Sequence, residues 1–158
     1  ENGKIDLEKT SHISQSDYVL WTSRIEVHQG DIVVINAPAG HVAQIPYFLN
    51  GSIGRNLTVL RPKLDFVQPT FLLEYFLSKY MRAEIYKKCT TGTILNSINV
   101  QNIESLSILM PPLEVIEKFE KISRPLRFKI ENNLQQNKIL TEIKNTLIQK
   151  FIKDGIDA

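Results

Sequence analysis

Residues 90–99, Thr-Thr-Gly-Thr-Ile-Leu-Asn-Ser-Ile-Asn, form the segment of this chain best equipped for chemistry, and two lysines stand just before it. Hydroxyl, backbone amide and ammonium groups are donors that proteins use to hold phosphate oxygens, and amide side chains bond to the edges of bases. The alternative is a solvent loop whose hydroxyls bond only to their own backbone. The first interpretation predicts contacts to phosphates and bases from Lys87, Lys88, Thr90, Thr91, Gly92, Thr93, Asn96, Ser97 and Asn99.

A second group of polar residues lies between residues 36 and 56, around predicted turns. Arg55 and Asn56 are chemically suited to reading bases, because arginine can form two parallel bonds to guanine and asparagine can do the same to adenine. Exposed arginine and asparagine are also common in hairpins that bind nothing. The candidates that complete this group are Asn36, His41, Gln44 and Ser52.

Motifs for catalysis and for metal binding are missing from the sequence. There is no Walker A loop, no nucleophile elbow and no Asn/Asp-Pro-Pro-aromatic box, since Asn36-Ala37-Pro38-Ala39 lacks both the paired proline and the aromatic residue. The three histidines fall at no metal-ligand spacing, and Cys89 is the only cysteine. We therefore predict no catalytic residue, no metal and no cofactor in this chain.

Size and composition indicate a globular protein of one domain plus a long element. The chain has 158 residues, of which 42% are hydrophobic and 23% charged. No apolar run approaches the roughly 20 residues of a membrane span, so we expect no membrane partner. A single cysteine favours a reducing compartment, and we expect a cytoplasmic protein. Because the chain opens at Glu1 without a methionine, we expect a piece of something longer.

Apolar runs separated by turn residues predict a β-sheet in the first half of the chain. Residues 32–35 are four consecutive β-branched residues and read as a buried strand. A second strand is predicted over residues 42–49, with a hairpin at Asn50-Gly51. A third strand is predicted over residues 57–60, where Arg61-Pro62 stops it. The region before this sheet predicts a short helix or turn anchored by an aromatic cluster.

Helical spacing of apolar residues predicts a helix over residues 69–88. A last strand is predicted over residues 103–110. It ends at Pro111-Pro112, where two prolines cannot continue a ladder of hydrogen bonds. We place the end of the domain there.

From Leu113 onwards a charged run carries apolar residues at steps of three and four, which predicts a long helix. About forty helical residues span roughly 60 Å, more than a small domain can cover, so we expect a partner helix. Pro125 should kink or split the helix near Ser123. The positions predicted to pack on the partner are Ile116, Phe119, Ile122, Leu126, Ile130, Leu134, Leu140, Ile143, Leu147 and Phe151.

The order of polar loop, apolar strand and long helix resembles the specificity subunit, the DNA-reading component, of Type I restriction-modification systems. The resemblance is strongest at the Gly92-Thr93 loop and at Pro111-Pro112-Leu113-Glu114. Weaker matches are Gly30-Asp31-Ile32-Val33 with the small-residue turn after it, and residues 52–62. The chain departs from the family pattern at Val115-Ile116, where many members have Glu-Gln.

The resemblance implies an α+β fold, with a compact mixed β-sheet target recognition domain and packing helices at residues 1–112. A long coiled-coil-forming α-helix would follow at residues 113–158. It also implies a non-catalytic chain that reads one half of a bipartite double-stranded DNA target and recruits methyltransferase (modification) subunits through its helix. With one such domain and one such helix, we expect half of a specificity subunit, the C-terminal half. Its helix would pair with a second recognition domain or with a second copy of the chain.

Two alternatives remain open from the sequence. The chain could be the DNA-reading module of a single-chain restriction-methylation enzyme, with catalysis encoded before Glu1. It could also be a coiled-coil protein-interaction module with no DNA role. A methyltransferase motif in the sequence before Glu1 would favour the first alternative over a specificity subunit. Absence of salt-dependent binding to short duplexes would favour the second.

Overall fold

The computed structural model describes residues 3–6, 9–23, 25–63, 67–90 and 96–156. The chain divides into two compact units, Glu1–Ser123 and Arg124–Ala158. The predicted α+β class is confirmed. In chain order the elements are α1 (Gln15–Thr22), β1 (Ile32–Ile35), β2 (Val42–Gln44), β3 (Leu57–Leu60), α2 (Pro69–Leu77), α3 (Lys79–Lys88), α4 (Val100–Glu104) and α5 (Leu113–Ile156).

The three strands form an antiparallel sheet in the order β2-β1-β3. The central strand β1 pairs Val34 with Val42 on one side and Ile35 with Leu57 on the other. The end of β1 and the starts of β2 and β3 therefore lie together. We call this the loop end of the sheet, because the residues after β1 and before β2 and β3 gather there.

Both faces of β1 are covered by apolar side chains. Ile32 and Val34 belong to a core that also contains side chains of α2 and α3, whereas Val33 belongs to a smaller cluster with Val27 and Ile45. A continuous run of β-branched residues suits a strand that is buried on both faces. Each such side chain stabilises the fold by about 1.5–3 kcal/mol when it leaves water. The burial of β1 thus fixes where the loop end lies.

A buried ion pair closes the opposite end of the sheet. Asp31 is 2% exposed, and Arg61 donates to it from Nε to Oδ1 at 2.7 Å and from Nη2 to Oδ2 at 2.6 Å. These hydrogen bonds raise the pKa of the Arg61 guanidinium. The backbone N–H of His28 also donates to Asp31 Oδ2, and Arg61 Nη2 donates to the carbonyl of Glu26. The Gly-Asp and Arg-Pro elements of the sequence therefore meet in one structural contact, away from the loop end.

The hairpin predicted at Asn50-Gly51 is wrong. β2 and β3 lie on opposite sides of β1, so the chain between them crosses from one edge of the sheet to the other, and β2 ends at Gln44. An Asn-Gly pair makes a hairpin only when the strands on either side pair with each other, and here both pair with β1. The tight turn of the sheet lies instead between β1 and β2, where Gly40 has a φ of +98°.

The single helix predicted over residues 69–88 is two helices, α2 and α3. Ser78 lies between them with extended backbone, and its hydroxyl accepts a hydrogen bond from the backbone N–H of Met81 at 3.2 Å. Serine favours this position because its side chain satisfies a donor at the start of a helix that has no partner within the helix. The apolar periodicity continues across Ser78, which is why the sequence shows one helix.

The strand predicted over residues 103–110 is wrong. Asn99 begins α4 there, because its Oδ1 accepts from the backbone N–H of Asn102 at 2.7 Å. After α4 the chain has no regular structure up to Pro112. The backbone N–H of Leu109 donates to the hydroxyl of Tyr75 at 2.8 Å, which takes the place of a strand partner.

The region before the sheet forms the helix α1, one of the two predicted outcomes, but its apolar residues are exposed. Trp21 is 51% exposed, and Val19 and Leu20 are more exposed still. Consecutive helical positions point about 100° apart, so three adjacent apolar residues cannot form one buried stripe. The anchoring by an aromatic cluster is therefore wrong, whereas Ser14 caps the helix by accepting from Asp17 N at 3.1 Å.

The helix α5 continues through Pro125, so the predicted split near Ser123 is wrong. Proline removes one backbone donor and crowds the preceding turn. In a helix of 44 residues the turns on both sides retain their own hydrogen bonds.

Within the described residues, no helix is long and apolar enough to cross a membrane.

The first turns of α5 pack within the first unit. Ile116 is 1% exposed, and the ring of Phe119 meets the ring of Phe71 edge-on with centroids 6.1 Å apart. Glu120 Oε1 accepts from the backbone N–H of Phe71 at 2.8 Å. The assignment of Ile116 to a partner helix is therefore wrong, and Phe119 also contacts its own domain. The first compact unit extends to Ser123, beyond the predicted domain end at Pro112.

Most other positions of the predicted stripe on α5 are exposed. Ile130 and Leu134 are half-buried. The exposed members are Ile122, Leu126, Leu140, Ile143, Leu147 and Phe151.

Replacing Arg61 with methionine should destabilise the protein, because it leaves the Asp31 carboxylate buried without its partner. Arg61 is about two-fifths exposed, so we expect a loss of about 2–3 kcal/mol in the free energy of unfolding, below the cost at a fully buried pair. The control is Lys87→Met, which breaks the surface pair with Glu84 and should cost no more than about 0.5 kcal/mol. Urea unfolding measures both, and equal losses would contradict the structural role of Asp31.

Candidate functional site

Three segments that are distant in sequence meet at the loop end of the sheet. The backbone N–H of Asn36, just after β1, donates to the carbonyl of Asn56 at 2.8 Å. The carbonyl of Asn36 accepts from Ile98 N at 2.9 Å, and Ala39 N donates to the carbonyl of Asn96 at 2.9 Å. The turn after β1, the approach to β3 and the end of the polar segment are therefore bonded to one another through their backbones.

The polar threonine-rich segment starts and ends at this same place. Thr90 and Ser97 form an isolated antiparallel bridge, with a hydrogen bond of 2.9 Å from Thr90 N to the carbonyl of Ser97. Thr90 is exposed and Ser97 is half-buried. The predicted contacts of Thr91, Gly92 and Thr93 lie outside the described residues.

Four predicted side chains are exposed and unpaired at the loop end. They belong to His41, Arg55, Asn56 and Asn96, and none has a side-chain hydrogen bond or ion pair with the described residues. Ser52 is half-buried and has no side-chain partner there either. A guanidinium, an imidazole and two amides are thus presented to solvent without a side-chain partner among the described residues.

Asn36 and Gln44 have structural roles, which count against the predicted contacts of these two residues with a ligand. Asn36 Oδ1 accepts from Thr58 Oγ1 at 2.9 Å, which ties the turn after β1 to β3. Gln44 is 7% exposed, and its Nε2 donates to the carbonyl of Gly30 at 3.4 Å, near the opposite end of the sheet. An alternating strand pattern does not distinguish a buried glutamine from an exposed one when both faces of the sheet are covered.

Asn99, Lys87 and Lys88 also have partners within the domain, which counts against three further predicted contacts. Asn99 caps α4 with its Oδ1. Lys87 Nζ lies 2.6 Å from Glu84 Oε1, and this hydrogen bond raises the pKa of the lysine. Lys88 Nζ donates to Ser105 Oγ at 2.9 Å. Neither lysine is a free cation in this structure.

Two residues of α3 that were not predicted as contacts, Arg82 and Tyr86, lie beside the loop end. A Cβ placed on Gly40 would stand 3.3 Å from the Tyr86 hydroxyl, so this aromatic side chain covers the turn. Arg82 and His41 line the same cavity of about 520 Å³. The sequence signals are the basic cluster of residues 79–88, which includes Arg82, and the spacing of four that puts Arg82 and Tyr86 on one side of a helix.

The floor of that cavity is apolar. Val33 of β1 and Leu57 of β3 contribute to it, together with Val27, Ile45 and Ile53, which belong to the smaller core cluster. Among the polar residues at its wall are His41, Ser52 and Arg82.

The arrangement offers donors for binding. Among the described residues, no three His, Cys, Asp or Glu side chains are grouped as metal ligands would be. Burial raises the pKa of the Cys89 thiol, which disfavours the thiolate that a nucleophile requires. What the loop end can do is bind a partner that accepts hydrogen bonds and carries negative charge.

Comparison with known proteins agrees with this description. A family model described as the Type I restriction modification DNA specificity domain matches residues 1–150. The Type I restriction enzyme MjaIX specificity subunit of Methanocaldococcus jannaschii is 32% identical over 78 residues, covering 49% of this chain and 18% of the relative. The putative type I restriction enzyme MjaX specificity subunit of the same organism is 28% identical over 167 residues, covering 98% of this chain and 37% of the relative.

The chain therefore spans less than half the length of these relatives. Both are named as specificity subunits, and the matched model is a specificity domain. This agrees with the prediction of a non-catalytic chain.

Replacing Gly40 with alanine should disturb the turn at the loop end. The residue has a φ of +98°, which side chains rarely adopt, and the new Cβ would meet the Tyr86 ring. We expect a loss of about 1–2 kcal/mol in the free energy of unfolding. Gly51→Ala is the matched control, because a Cβ there meets no atom within 4 Å and should change stability by less than about 0.5 kcal/mol. If urea unfolding gave the same midpoint for both variants, the close approach of Tyr86 would be excluded.

Proposed function

The chain belongs to the Type I restriction modification DNA specificity domain family, and on that premise we propose that it recognises a double-stranded DNA sequence with the loop end of its sheet. The observation that carries the proposal is the meeting of three backbone segments that present unpaired His41, Arg55, Asn56 and Asn96. Base edges in the major groove require donors and acceptors held at fixed spacing. Backbone bonding between the three segments supplies that fixed spacing.

The side chains divide by chemistry into base readers and phosphate binders. Arg55 can hold guanine through two parallel bonds, and Asn56 or Asn96 can hold adenine in the same way. His41 can donate to a base edge. Hydroxyl groups at Ser52 and Thr90 suit phosphate oxygens, and we assign the same role to Thr91, Gly92 and Thr93, whereas Ser97 is assigned to base edges or to holding the segment in place. Phosphate contacts position the domain on the duplex, and base contacts select the sequence.

The helix α5 is proposed to join this reader to the rest of a complex. In the second unit the stripe of Leu126, Leu140, Ile143, Leu147 and Phe151 is at least 48% exposed at every position. Apolar side chains repeated along one side of a helix stabilise a helix pair when a second helix covers them. We propose that the helix of a second recognition domain, or of a second copy, occupies the stripe. Each reader would then bind one half of a bipartite target.

Methyltransferase subunits are the proposed further partners along α5. Residues 1–158 carry no catalytic motif, and we assign the modification of DNA to these subunits. The family match supports this part of the proposal through the restriction-modification context alone.

Methylation mapping of a genome that carries the intact system tests the base readers. We expect Arg55→Ala and Asn96→Ala to relax or abolish the methylated half-site, since each good bidentate contact provides about 1–3 kcal/mol of discrimination. Asn145→Ala, an exposed asparagine of the second unit, is the control and should leave the methylated sequence unchanged. An unchanged motif in both test variants would remove Arg55 and Asn96 from the site.

Binding of the wild-type protein to short duplexes tests the proposal as a whole. If no duplex is bound at low salt, even with the methyltransferase subunits present, recognition of DNA is excluded, and the alternative of a protein-interaction module is favoured.

Charged substitutions in the stripe test the partner helix. We expect Leu140→Glu with Leu147→Glu to lower the mass of the purified complex in sedimentation analysis, because two carboxylates cannot enter an apolar helix interface without a large loss of hydration. Asn145→Glu lies on another side of α5 and should leave the mass unchanged. An unchanged mass for the double variant would exclude helix pairing through this stripe.

A further inference from the structure

We infer that the exposed side of α3, formed by Lys79, Arg82 and Tyr86, binds the sugar-phosphate backbone of the DNA whose bases face the loop end. We call these three residues the α3 face. The inference rests on the proposed function, and it adds a second binding surface that consists of phosphate contacts alone.

The orientation of α3 is fixed by its buried side. Met81 and Ile85 are completely buried in the main core, so the positions across the helix point towards solvent. Lys79, Arg82 and Tyr86 follow one another at steps of three and four, which brings their side chains into one row. All three are exposed.

The α3 face is continuous with the loop end. Tyr86 covers the turn at Gly40, with its hydroxyl 3.3 Å from where a Cβ would stand. Arg82 shares a cavity wall with His41, one of the proposed base readers. A duplex that presents bases to His41 therefore has a backbone strand within reach of this part of α3.

The charges of the α3 face are available to a ligand, unlike those at the end of the same helix. Lys79 and Arg82 make no side-chain hydrogen bond or ion pair with the described residues. Lys87 is paired with Glu84, and Lys88 bonds to Ser105. The sequence places four cations on α3, and the structure leaves Lys79 and Arg82 without a partner among the described residues.

The chemistry of the α3 face fits phosphate groups better than it fits bases. Two long cationic side chains supply charge and donors, and the phenol hydroxyl supplies one further donor, all of which suit the charged oxygens of phosphate groups. Cations that meet phosphates release counterions, which contributes affinity without selecting a sequence. We therefore expect this face to raise affinity for every duplex alike.

Salt dependence of binding separates this role from base reading. The experiment uses the intact protein with its methyltransferase subunits, a duplex with the methylated sequence and a scrambled duplex. For Lys79→Ala with Arg82→Ala, the slope of log K against log salt should become shallower by about 2, one for each lost contact. Affinity for both duplexes should fall by roughly tenfold per lost contact at 0.1 M salt. The methylated sequence should stay the same.

Three control variants show whether the change is local. Lys79→Arg with Arg82→Lys retains both charges and should retain the slope. Glu84→Ala with Lys87→Ala removes an internal pair without changing net charge, and this variant should also retain the salt slope. Tyr86→Phe removes only a hydroxyl and should lower the affinity for both duplexes by the same small factor. Alanine favours helix, so the alanine variants should fold, which circular dichroism verifies.

The outcomes distinguish this inference from the proposed function. A wild-type complex that binds no duplex overturns the proposed function, and this inference with it. If the wild type binds and the double alanine variant keeps its slope, the α3 face is excluded as a phosphate site while DNA recognition stands. If the double variant changes the methylated sequence, the face reads bases, and the assignment to phosphate is overturned.

Discussion

The geometry of the first unit depends on the burial of β1, a strand of four residues that is covered on both faces and bonded on both edges. Its side chains enter two separate apolar clusters, and its backbone pairs with β2 and with β3. Moving such a strand would break both clusters and both ladders together. The polar groups at the loop end are therefore displayed by the part of the domain that is most costly to displace.

The two ends of the sheet differ in how their polar groups are satisfied. At one end, Asp31 and Arg61 satisfy each other in a contact that leaves little for a ligand. At the loop end, backbone groups are paired between segments, while the side chains of Arg55 and Asn96 are left to solvent. Solvated polar side chains cost the fold almost nothing, because water supplies their hydrogen bonds. A binding surface of this kind can change residue by residue while the sheet stays folded.

Strong local patterns in the sequence were sufficient for some elements and misleading for others. The β-branched run of β1 and the periodic apolar residues of α5 predicted those elements, since both patterns persist over the whole element. The hairpin predicted at Asn50-Gly51 did not form, because the pairing of β2 and of β3 with β1 overrides the local turn preference. The strand predicted after Ile103 did not form, because no strand among the described residues lies beside it. The backbone N–H of Leu109 donates to the hydroxyl of Tyr75 instead.

The candidate site was predictable in outline only. Residue type suggested Arg55 and Asn96, which the structure leaves exposed, but it could not separate them from Asn36 and Gln44, whose side chains bond within the fold. That difference depends on which strands lie on either side, and one sequence does not specify them. Arg82 was missed for a related reason, since its relation to His41 exists only after α3 has packed on the sheet.

The bridge between Thr90 and Ser97 has an evolutionary consequence. Because these two residues pair through their backbones, the bond does not depend on which side chains stand at the two positions. Exchanging or lengthening the enclosed residues costs little loop entropy and need not disturb β1. A lineage could thus exchange the intervening residues and inherit the rest of the scaffold intact.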